Sequence, residues 1–406
     1  MDRLVITNRH KRVGTARSVV PNRNVVPGAF AHPPSQSRSP MKIKTVEFEP
    51  CVMPLEDKNW KFALGTASTS RGWIVRLTSD DGHVGHGYSN SSPHMGSTFE
   101  SLPQELERFK PHVLGQDPFA IEAILMALDR SLAGANQAKA GIDCALHDLC
   151  ARALGVPLYN LLGGKVRGSV PVLRIVAIKT PAEMAENAGK LQDQGYRYFK
   201  IKVHGHVEED VARVKAIRER VGPQAHLTID ANQSYSPKDA IAAINRMAEY
   251  RLDLVEQPVS RNDIKGLELV TRSVPVTVEA DEGAGTVAEI MTLVSNRIVD
   301  AVSLKIQKLG GLRNALAAAR ICEAGHVKYR LGAHVGTRLG NAHAIQLAAA
   351  LPGVDYACEL GEFTRMYNDP FAGIEIVDGA LAVPDGPGCG VEPVATAHQD
   401  KRAGAA

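Results

Sequence analysis

The feature that most constrains the fold is the alternation of short β-branched segments with amphipathic helical segments between residues 166 and 359. Such alternation predicts parallel βαβ units, and eight strands are enough to close an α/β barrel. An open, doubly wound sheet is the alternative, but it calls for a glycine-rich turn after its first strand. Residues 176–180 contain no glycine, so the pattern favours the barrel. The predicted strands lie near residues 170–177, 198–203, 227–230, 254–256, 276–280, 301–304, 329–332 and 356–359.

Charged residues recur at the ends of successive predicted strands. They are Lys202, Asp230, Glu256, Asp281 and Lys305, and the steps between them are 28, 26, 25 and 24 residues, one βα unit each. The carboxyl ends of barrel strands meet at one rim, where the active site of a barrel enzyme lies. Ordinary strand-end salt bridges would explain any one of these residues, but five in phase favour a single site.

The types of these residues predict a chemistry. Three carboxylates without histidine or cysteine form an all-oxygen site that suits Mg²⁺, with Mn²⁺ as the alternative ion. On a closed barrel of eight strands, the second and sixth strands face each other, so Lys202 and Lys305 would face opposite sides of a bound carboxylate's α-carbon. Lys200 and the metal ion would lower the pKa of Lys202. We therefore expect removal of the α-proton through an enediolate.

The segment before the barrel has a different pattern. Residues 41–165 predict an α+β unit in which antiparallel strands, including a hairpin turned by Asp80-Asp81-Gly82, precede three helices. Two polar, glycine-containing loops interrupt it, at residues 57–72 and 89–96. Residues 1–40 and 396–406 lack apolar periodicity, and we expect both to be disordered. The leader is basic enough for a transit peptide, but an extension upstream of Met41 is the favoured interpretation.

Charge and cysteine usage exclude several classes of protein. The formal net charge is +3, but residues 1–40 hold seven Lys and Arg and one acid, so the remainder carries −3. A nearly balanced body argues against a nucleic-acid partner, and no apolar run is long enough for a membrane span. The six cysteines include no C-x-x-C pair, so we expect reduced thiols and a cytoplasmic enzyme.

As a set, the motifs resemble the muconate-lactonizing subgroup of the enolase superfamily. Lys200-Ile201-Lys202 matches its K-x-K motif, Asp230-Ala231-Asn232 its D-x-N motif and Glu256-Gln257-Pro258 its E-Q-P motif. Further matches are Ala280-Asp281-Glu282, the segment 304–311 around Lys305, and the segments 140–149 and 158–164 upstream. The similarity covers about residues 41–395. The superfamily is known for a Lys or His base that acts with Mg²⁺ against an enediolate.

The resemblance implies a modified (β/α)7β TIM-like barrel over residues 166–359 under an α+β capping domain, to which residues 360–395 return through strands around 374–383. It implies a homo-oligomer and a small carboxylate substrate. The expected roles of the site residues are as follows: Asp230, Glu256 and Asp281 hold the metal ion, Lys202 and Lys305 act as acid and base, and Lys200, Asn232, His334, Glu359 and Trp60 contact substrate. Phe62 and His94 are further loop candidates.

Two departures bear on the substrate. Residues 333–340 read Ala-His-Val-Gly-Thr-Arg-Leu-Gly, where relatives that racemise acylated amino acids or dipeptides carry a Met-x-Glu-Ser-type segment. A histidine at this strand resembles the base of mandelate racemases, but those pair it with an Asp where this chain has Lys305. We expect a racemase or epimerase of a small amino-acid derivative or related acid. A cycloisomerase or dehydratase, and a non-catalytic metal-binding barrel, are the alternatives.

Overall fold

A computed structural model describes residues 41–394. The predictions for residues 1–40 and 396–406 lie outside these residues. None of the helices found between residues 41 and 394 is long and apolar enough to cross a membrane.

The first part of the chain is an antiparallel sheet covered by three helices. Strands β1, β4 and β5 form this sheet in the order β1-β4-β5, and β2 pairs with β3 in a separate short hairpin. The core between the sheet and the helices contains Val46, Val75, Leu106, Phe109 and Leu146. The elements are β1 (Ile43–Pro54), β2 (Trp60–Phe62), β3 (Gly65–Ala67), β4 (Thr69–Ser79), β5 (Val84–Asn90), α1 (Leu102–Val113), α2 (Ile121–Ser131) and α3 (Asn136–Leu154).

The second part is a curled parallel sheet with the strand order β13-β12-β11-β10-β9-β8-β7, surrounded by helices. Its strands are β7 (Leu173–Val176), β8 (Tyr198–Lys202), β9 (His226–Asp230), β10 (Leu252–Glu256), β11 (Thr277–Ala280), β12 (Ala301–Lys305) and β13 (Lys328–Gly332), preceded by β6 (Ser169–Pro171). Its helices are α4 (Pro181–Asp193), α5 (Val207–Val221), α6 (Pro237–Met247), α7 (Ile264–Ser273), α8 (Val287–Ser295), α9 (Ile306–Leu309), α10 (Leu312–Ala324) and α11 (Arg338–Ala350). This α/β architecture confirms the predicted fold class.

Capped helix starts keep several of the connections above the barrel rim short. The N-cap side chains of α4, α6, α7, α8 and α11 each accept a hydrogen bond from a backbone N–H in the first turn. Such a cap satisfies a donor that the helix itself leaves unpaired. Each cap therefore fixes where its helix begins, a few residues after the preceding strand. The capping residues are Thr180, Ser236, Asp263, Thr286 and Thr337.

The eighth predicted strand, residues 356–359, takes a different form from the other seven. Cys358 makes an isolated parallel bridge with Val172, and the N–H of Leu173 donates to the Cys358 carbonyl at 2.9 Å. On the other side, the N–H of Glu359 donates to the Leu331 carbonyl at 3.0 Å. The segment therefore contacts both edges of the sheet and closes the ring, although it forms no continuous ladder.

The C-terminal strands are β14 (Phe371–Ala372), β15 (Ile376–Val377), β16 (Ala380–Ala382) and β17 (Glu392–Pro393). The strands β15 and β16 join β6, so the first predicted barrel strand is split: β6 leaves the barrel and only β7 stays in it. Residues 365–367 hydrogen-bond to residues 54–56, in the first part of the chain. The domain boundaries at residues 165 and 360 stay predictions.

Candidate active site

The five charged strand-end residues meet at one rim, as the spacing predicts. Lys202 pairs with Asp230 in the parallel register of β8 and β9, and Asp230 pairs with Glu256 in the register of β9 and β10. Asp281 follows β11 directly, and Lys305 ends β12. Because all these strands are parallel and in neighbouring positions, their last side chains point into the same barrel mouth.

Two ion pairs lie on opposite sides of this mouth. The ammonium of Lys202 lies 2.5 Å from Oδ2 of Asp230, and that of Lys305 lies 2.6 Å from Oδ2 of Asp281. Burial by itself would lower the pKa of Lys305, but the carboxylates of Asp281, Glu359 and Glu256 outweigh it and raise this pKa well above its usual range. The strands that carry the two lysines, β8 and β12, are separated by three strands. The lysines therefore flank the carboxylates.

Lys200 lies deeper than Lys202. Its side chain is fully buried, 2.5 Å from Oε2 of Glu256 and 3.6 Å from Oδ2 of Asp230, and it also pairs with Glu359. Burial opposes its charge, but the carboxylates, Glu256 first, raise its pKa above the usual range. It is absent from the residues that line the cavity above the rim. A contact between Lys200 and the substrate carboxylate stays a prediction.

The three predicted metal ligands fit Mg²⁺. Asp230, Glu256 and Asp281 are buried and offer oxygen only, and Oε1 of Glu256 has no hydrogen-bond partner among residues 41–394. A buried, unpaired carboxylate oxygen costs about 1–3 kcal/mol or more, so it points to a ligand that would satisfy it. The ligand oxygens of these three carboxylates do not all lie within 4.8 Å of one another. A lysine ammonium pairs with each carboxylate, and that of Lys305 also lies 3.9 Å from Oε1 of Glu256.

Sequence reasoning missed several polar side chains that support these ligands. Lys308 donates to the backbone carbonyl of Asp281 at 2.6 Å and to its Oδ1 at 2.8 Å. Glu282 accepts a hydrogen bond from Asn232 at 3.2 Å, and burial followed by the charges of Asp281 and Asp230 raises its pKa to about 7. Asn232, which was predicted to bind substrate, also accepts from Lys202 at 3.0 Å. It therefore orients that lysine.

A further set of ion pairs, also missed, lies below the ligands inside the barrel. Arg330 is 1 % exposed, and its Nη2 lies 2.5 Å from Oε2 of Glu256 and 2.6 Å from Oε2 of Glu279. Burial raises the pKa of Glu279 to about 7, although Arg330 opposes the shift. Side chains two residues apart on a strand point to the same face. Glu279 and Arg330 each lie two residues before a rim position, so this alternation could have indicated that both point into the barrel. Arg330 holds the carboxylate of Glu256 from beneath.

A cavity of about 500 Å³ opens above the rim. Lys202, Asn232, Asp281, Lys305 and Glu359 form its floor, and apolar and aromatic side chains from the two predicted loops form much of its wall. Ligand sites in proteins have this size and this combination of apolar wall and few polar groups. Of the predicted substrate contacts, Trp60, Asn232, His334 and Glu359 line the cavity.

Four rings form an arc over this cavity, which we call the aromatic arc: Trp60, Phe62, His94 and His334. Their successive centroids are 5.5, 6.2 and 6.3 Å apart. The arc begins on the Lys202 side, where that ammonium lies 5.8 Å from the Phe62 ring centre. At the other end, the charges of Lys305 and Asp281 act on His334. The arc therefore reaches from one lysine to the other.

A second cluster of possible metal ligands lies away from the barrel mouth, and its histidine nitrogens and carboxylate oxygens already have partners within residues 41–394. Asp148, His343 and Cys389 bring their ligand atoms within 4.8 Å of one another. Both ring nitrogens of His343 lie near carbonyl oxygens, at 2.9 and 3.2 Å. Asp148 accepts hydrogen bonds from the N–H groups of His86 and Cys389. This cluster is a structural contact between α3, α11 and the C-terminal segment.

Comparison with known proteins gives matches over both parts of the chain. Residues 45–163 match the family described as Mandelate racemase / muconate lactonizing enzyme, N-terminal domain, and residues 183–397 match the family Enolase C-terminal domain-like.

Individual relatives cover most of the chain. A hydrophobic dipeptide epimerase from Enterococcus faecalis is 37% identical over 78% of this chain and 90% of its own length. A chloromuconate cycloisomerase from Delftia acidovorans is 32% identical over 76% of this chain and 85% of its own length. A crystal structure of dipeptide epimerase from Enterococcus faecalis, complexed with Mg and the dipeptide L-Leu-L-Tyr, superposes with a TM-score of 0.83 at 35% identity. It covers 86% of this chain and 99% of the other.

Proposed function

Because this chain belongs to the mandelate racemase/muconate lactonizing enzyme family of the enolase superfamily, we propose that it racemises or epimerises a small amino-acid derivative. It is an isomerase that depends on Mg²⁺. The observation that carries the proposal is the pair of lysines, Lys202 and Lys305, on opposite sides of three carboxylates at one barrel mouth. Two opposed amines can remove a proton from one face of a carbon and return it to the other.

In the proposed reaction, the substrate carboxylate lies over Asp230, Glu256 and Asp281. One lysine, as the neutral amine, takes the α-proton, and the other, as ammonium, delivers a proton to the opposite face. Asn232 holds Lys202 in place through its 3.0 Å hydrogen bond. When bound by these carboxylates, Mg²⁺ would supply a fixed double positive charge that stabilises the negative charge developing on the substrate carboxylate. The aromatic arc limits the access of water from above.

The ion pairs bear on the protonation state of Lys305. The carboxylates raise the pKa of Lys305, so its ammonium form is favoured. Asp281 already shares its charge between Lys305 and Lys308. Mg²⁺ held by Asp281 would weaken the attraction of that carboxylate for the Lys305 ammonium further, which would favour the neutral amine.

Glu359 gives a preference for a substrate amino group. Its Oε2 pairs with Lys200, and its Oε1 makes no hydrogen bond within residues 41–394, while the side chain lines the cavity. A free carboxylate oxygen there suits an N–H donor on the substrate. The Enterococcus faecalis relative is a hydrophobic dipeptide epimerase, which places peptides first among the derivatives to be tested.

A cycloisomerase is the second candidate, since a chloromuconate cycloisomerase shares 32% identity with this chain. The same lysines and carboxylates serve that reaction. The two differ in outcome: a racemase places solvent deuterium on the α-carbon of recovered substrate, whereas a cycloisomerase closes or opens a ring and so gives a product with different bond connectivity.

The deciding experiment incubates the Mg²⁺-loaded protein in D₂O with dipeptides, N-acyl amino acids, betaines and hydroxy acids. Proton NMR follows loss of the α-proton, and polarimetry follows configuration. We expect exchange with inversion for at least one amino-acid derivative. Lys202→Ala and Lys305→Ala should each lower turnover by about 10²–10⁴-fold. Lys190→Ala, at an exposed lysine of α4, is the matched control. Full turnover in either site variant would contradict the proposal.

We also propose that the protein works as a homo-oligomer in the cytoplasm. All six cysteines lie within residues 41–394, where each is buried and unpaired, which suits a reducing compartment. Analytical ultracentrifugation of the full chain tests the oligomer, and a single sedimenting species with the mass of one chain would contradict it.

A further inference from the structure

His334 carries buried nitrogens that the reaction proposed above does not use. Neither Nδ1 nor Nε2 has a hydrogen-bond partner among residues 41–394, and both atoms are buried. Leaving a buried polar group unpaired costs about 1–3 kcal/mol, so an unpaired group in a native structure calls for a ligand. Because His334 lines the active-site cavity, its missing partner can come from the substrate.

The position of His334 decides which part of the substrate it meets. An α-carbon has four substituents. Under the proposed function, the carboxylate lies over the metal ligands, the hydrogen faces a lysine, and the amino substituent faces Glu359. The side chain is the remaining substituent. Among residues 41–394, Trp60 and His334 line the cavity and carry buried nitrogens without a partner. Trp60 lies at the Lys202 end of the aromatic arc, and His334 lies at the Lys305 end.

The charges around His334 determine which kind of substrate side chain it can bind. Lys305, Lys308, Asp281 and His94 act on it, and burial, followed by the Lys305 ammonium, holds the pKa of His334 well below its usual range. A neutral imidazole offers one donor and one acceptor. A cationic side chain would be repelled by Lys305, and a hydrocarbon would leave both nitrogens unpaired. A carboxylate only accepts hydrogen bonds, so it could use the donor of the imidazole but not its acceptor.

We propose that His334 is a specificity residue that binds a neutral hydrogen-bonding side chain, a hydroxyl or a carboxamide, on the substrate's reacting residue. This inference rests on the proposed function and narrows its substrate class. By themselves, the apolar wall of the cavity and the name of the Enterococcus faecalis relative would suggest an apolar substrate side chain instead. A site built to hydrogen-bond a substrate group discriminates against analogues that lack it.

The test uses dipeptides whose reacting residues match in shape: L-Ala-L-Thr against L-Ala-L-Val, and L-Ala-L-Asn against L-Ala-L-Leu. Proton NMR in D₂O gives kcat and KM for α-exchange by the Mg²⁺-loaded protein. We expect kcat/KM to favour the polar member of each pair by about 10-fold or more. The preference should lie mainly in KM. The contact between His334 and the substrate side chain is the same before and during proton removal, so it strengthens binding without changing kcat.

Two variants separate recognition from packing. His334→Phe keeps a ring but removes both nitrogens, and it should abolish the preference for Thr and Asn. His334→Gln keeps a donor and an acceptor and should restore part of it.

A wild-type preference for Val and Leu would overturn the inference. So would an equal loss for both members of a pair in His334→Phe, since that would place His334 against the shared peptide or in the packing alone. If no peptide is exchanged, the same side-chain pairs are compared as N-acyl amino acids, and absence of α-exchange with every derivative would contradict the proposed function.

Discussion

The guanidinium of Arg330 lies 2.5 Å from Oε2 of Glu256, deep inside the barrel and directly beneath the rim. The positive charge of Arg330 thereby offsets the negative charge of Glu256, which is also one of the three predicted metal ligands. Breaking a buried ion pair by removing one partner leaves an uncompensated charge. We therefore expect Arg330→Met to lower the free energy of unfolding by about 3–5 kcal/mol, as measured by urea denaturation without divalent ions.

Adding Mg²⁺ should recover more stability in Arg330→Met than in the wild type, because the ion supplies charge that Glu256 has lost. Arg330→Lys keeps a positive charge and is the matched control, with a smaller loss expected. Equal stability of Arg330→Met and wild type would mean that the buried pair contributes nothing net.

Mg²⁺ should stabilise the folded chain through Asp230, Glu256 and Asp281. At a free concentration of 100 times Kd, binding to the folded state alone raises the free energy of unfolding by about 2.7 kcal/mol. Asp281→Asn should remove most of this gain, whereas Asp385→Asn, at an exposed surface carboxylate, should leave it unchanged. Calorimetric titration of Mg²⁺ into each variant gives the affinity directly. An unchanged affinity in Asp281→Asn would remove that residue from the ligand set.

Gly332 provides space for the Lys305 side chain on the neighbouring strand. A Cβ at position 332 would lie 2.7 Å from Cε of Lys305 and 2.8 Å from Oγ of Ser303. Gly332→Ala should therefore displace the amine and lower kcat by about 10²-fold, the usual effect of a 1 Å misplacement. Gly168→Ala, where a Cβ meets nothing within 4 Å, is the control. Unchanged kcat with the lysine still 2.6 Å from Asp281 in a crystal structure would contradict this account.

His147 should make stability depend on pH. Its Nδ1 lies 2.7 Å from Oδ1 of Asp143. Burial lowers its pKa, but Asp143, with a smaller contribution from Glu122, outweighs burial and raises it above the usual value. A raised histidine pKa contributes stability that is complete below the unfolded pKa of about 6.5. That stability is lost as the pH rises through the folded pKa.

The measurement is the free energy of unfolding of wild type and His147→Gln between pH 5.5 and 9. The wild type should lose its advantage over the variant as the pH rises. If the difference in free energy of unfolding between wild type and variant grew with pH, the pKa of His147 would be lowered rather than raised, and burial would dominate.

The sequence was sufficient to predict elements that are determined by residues close together in the chain. The Asp80-Asp81-Gly82 turn joins β4 and β5 as expected, and the third of the three predicted helices is Asn136–Leu154. The rim residues were predictable for a different reason. Parallel strands one βα unit apart must end on one side of the barrel, so Lys202, Asp230 and Lys305 could be assigned to one mouth from spacing alone.

Contacts between distant segments could not be predicted in this way. No pattern indicates that Ser169–Pro171 leaves the barrel to pair with Ala380–Ala382, since both choices bury a short apolar strand. The partners of Arg330 likewise come from β10 and β11. The alternation of side chains along β13 indicates that Arg330 points into the barrel, but which residues it contacts depends on how the barrel closes. The aromatic arc joins two loops and the end of β13, whose relative positions follow only from tertiary packing.

The isolated bridges that close the ring at Cys358 have a consequence for local motion. Two backbone hydrogen bonds hold this segment to each neighbour, to Pro171 and Leu173 on one side and to Tyr329 and Leu331 on the other. A segment held in this way opens at a lower free energy than strands in a continuous ladder. The amide hydrogens of Leu173, Cys358 and Glu359 should therefore exchange with solvent before those at the centre of β9 and β10. Because Glu359 belongs to this segment, the carboxylate that we propose to bind the substrate lies on the part of the barrel that we expect to open before β9 and β10.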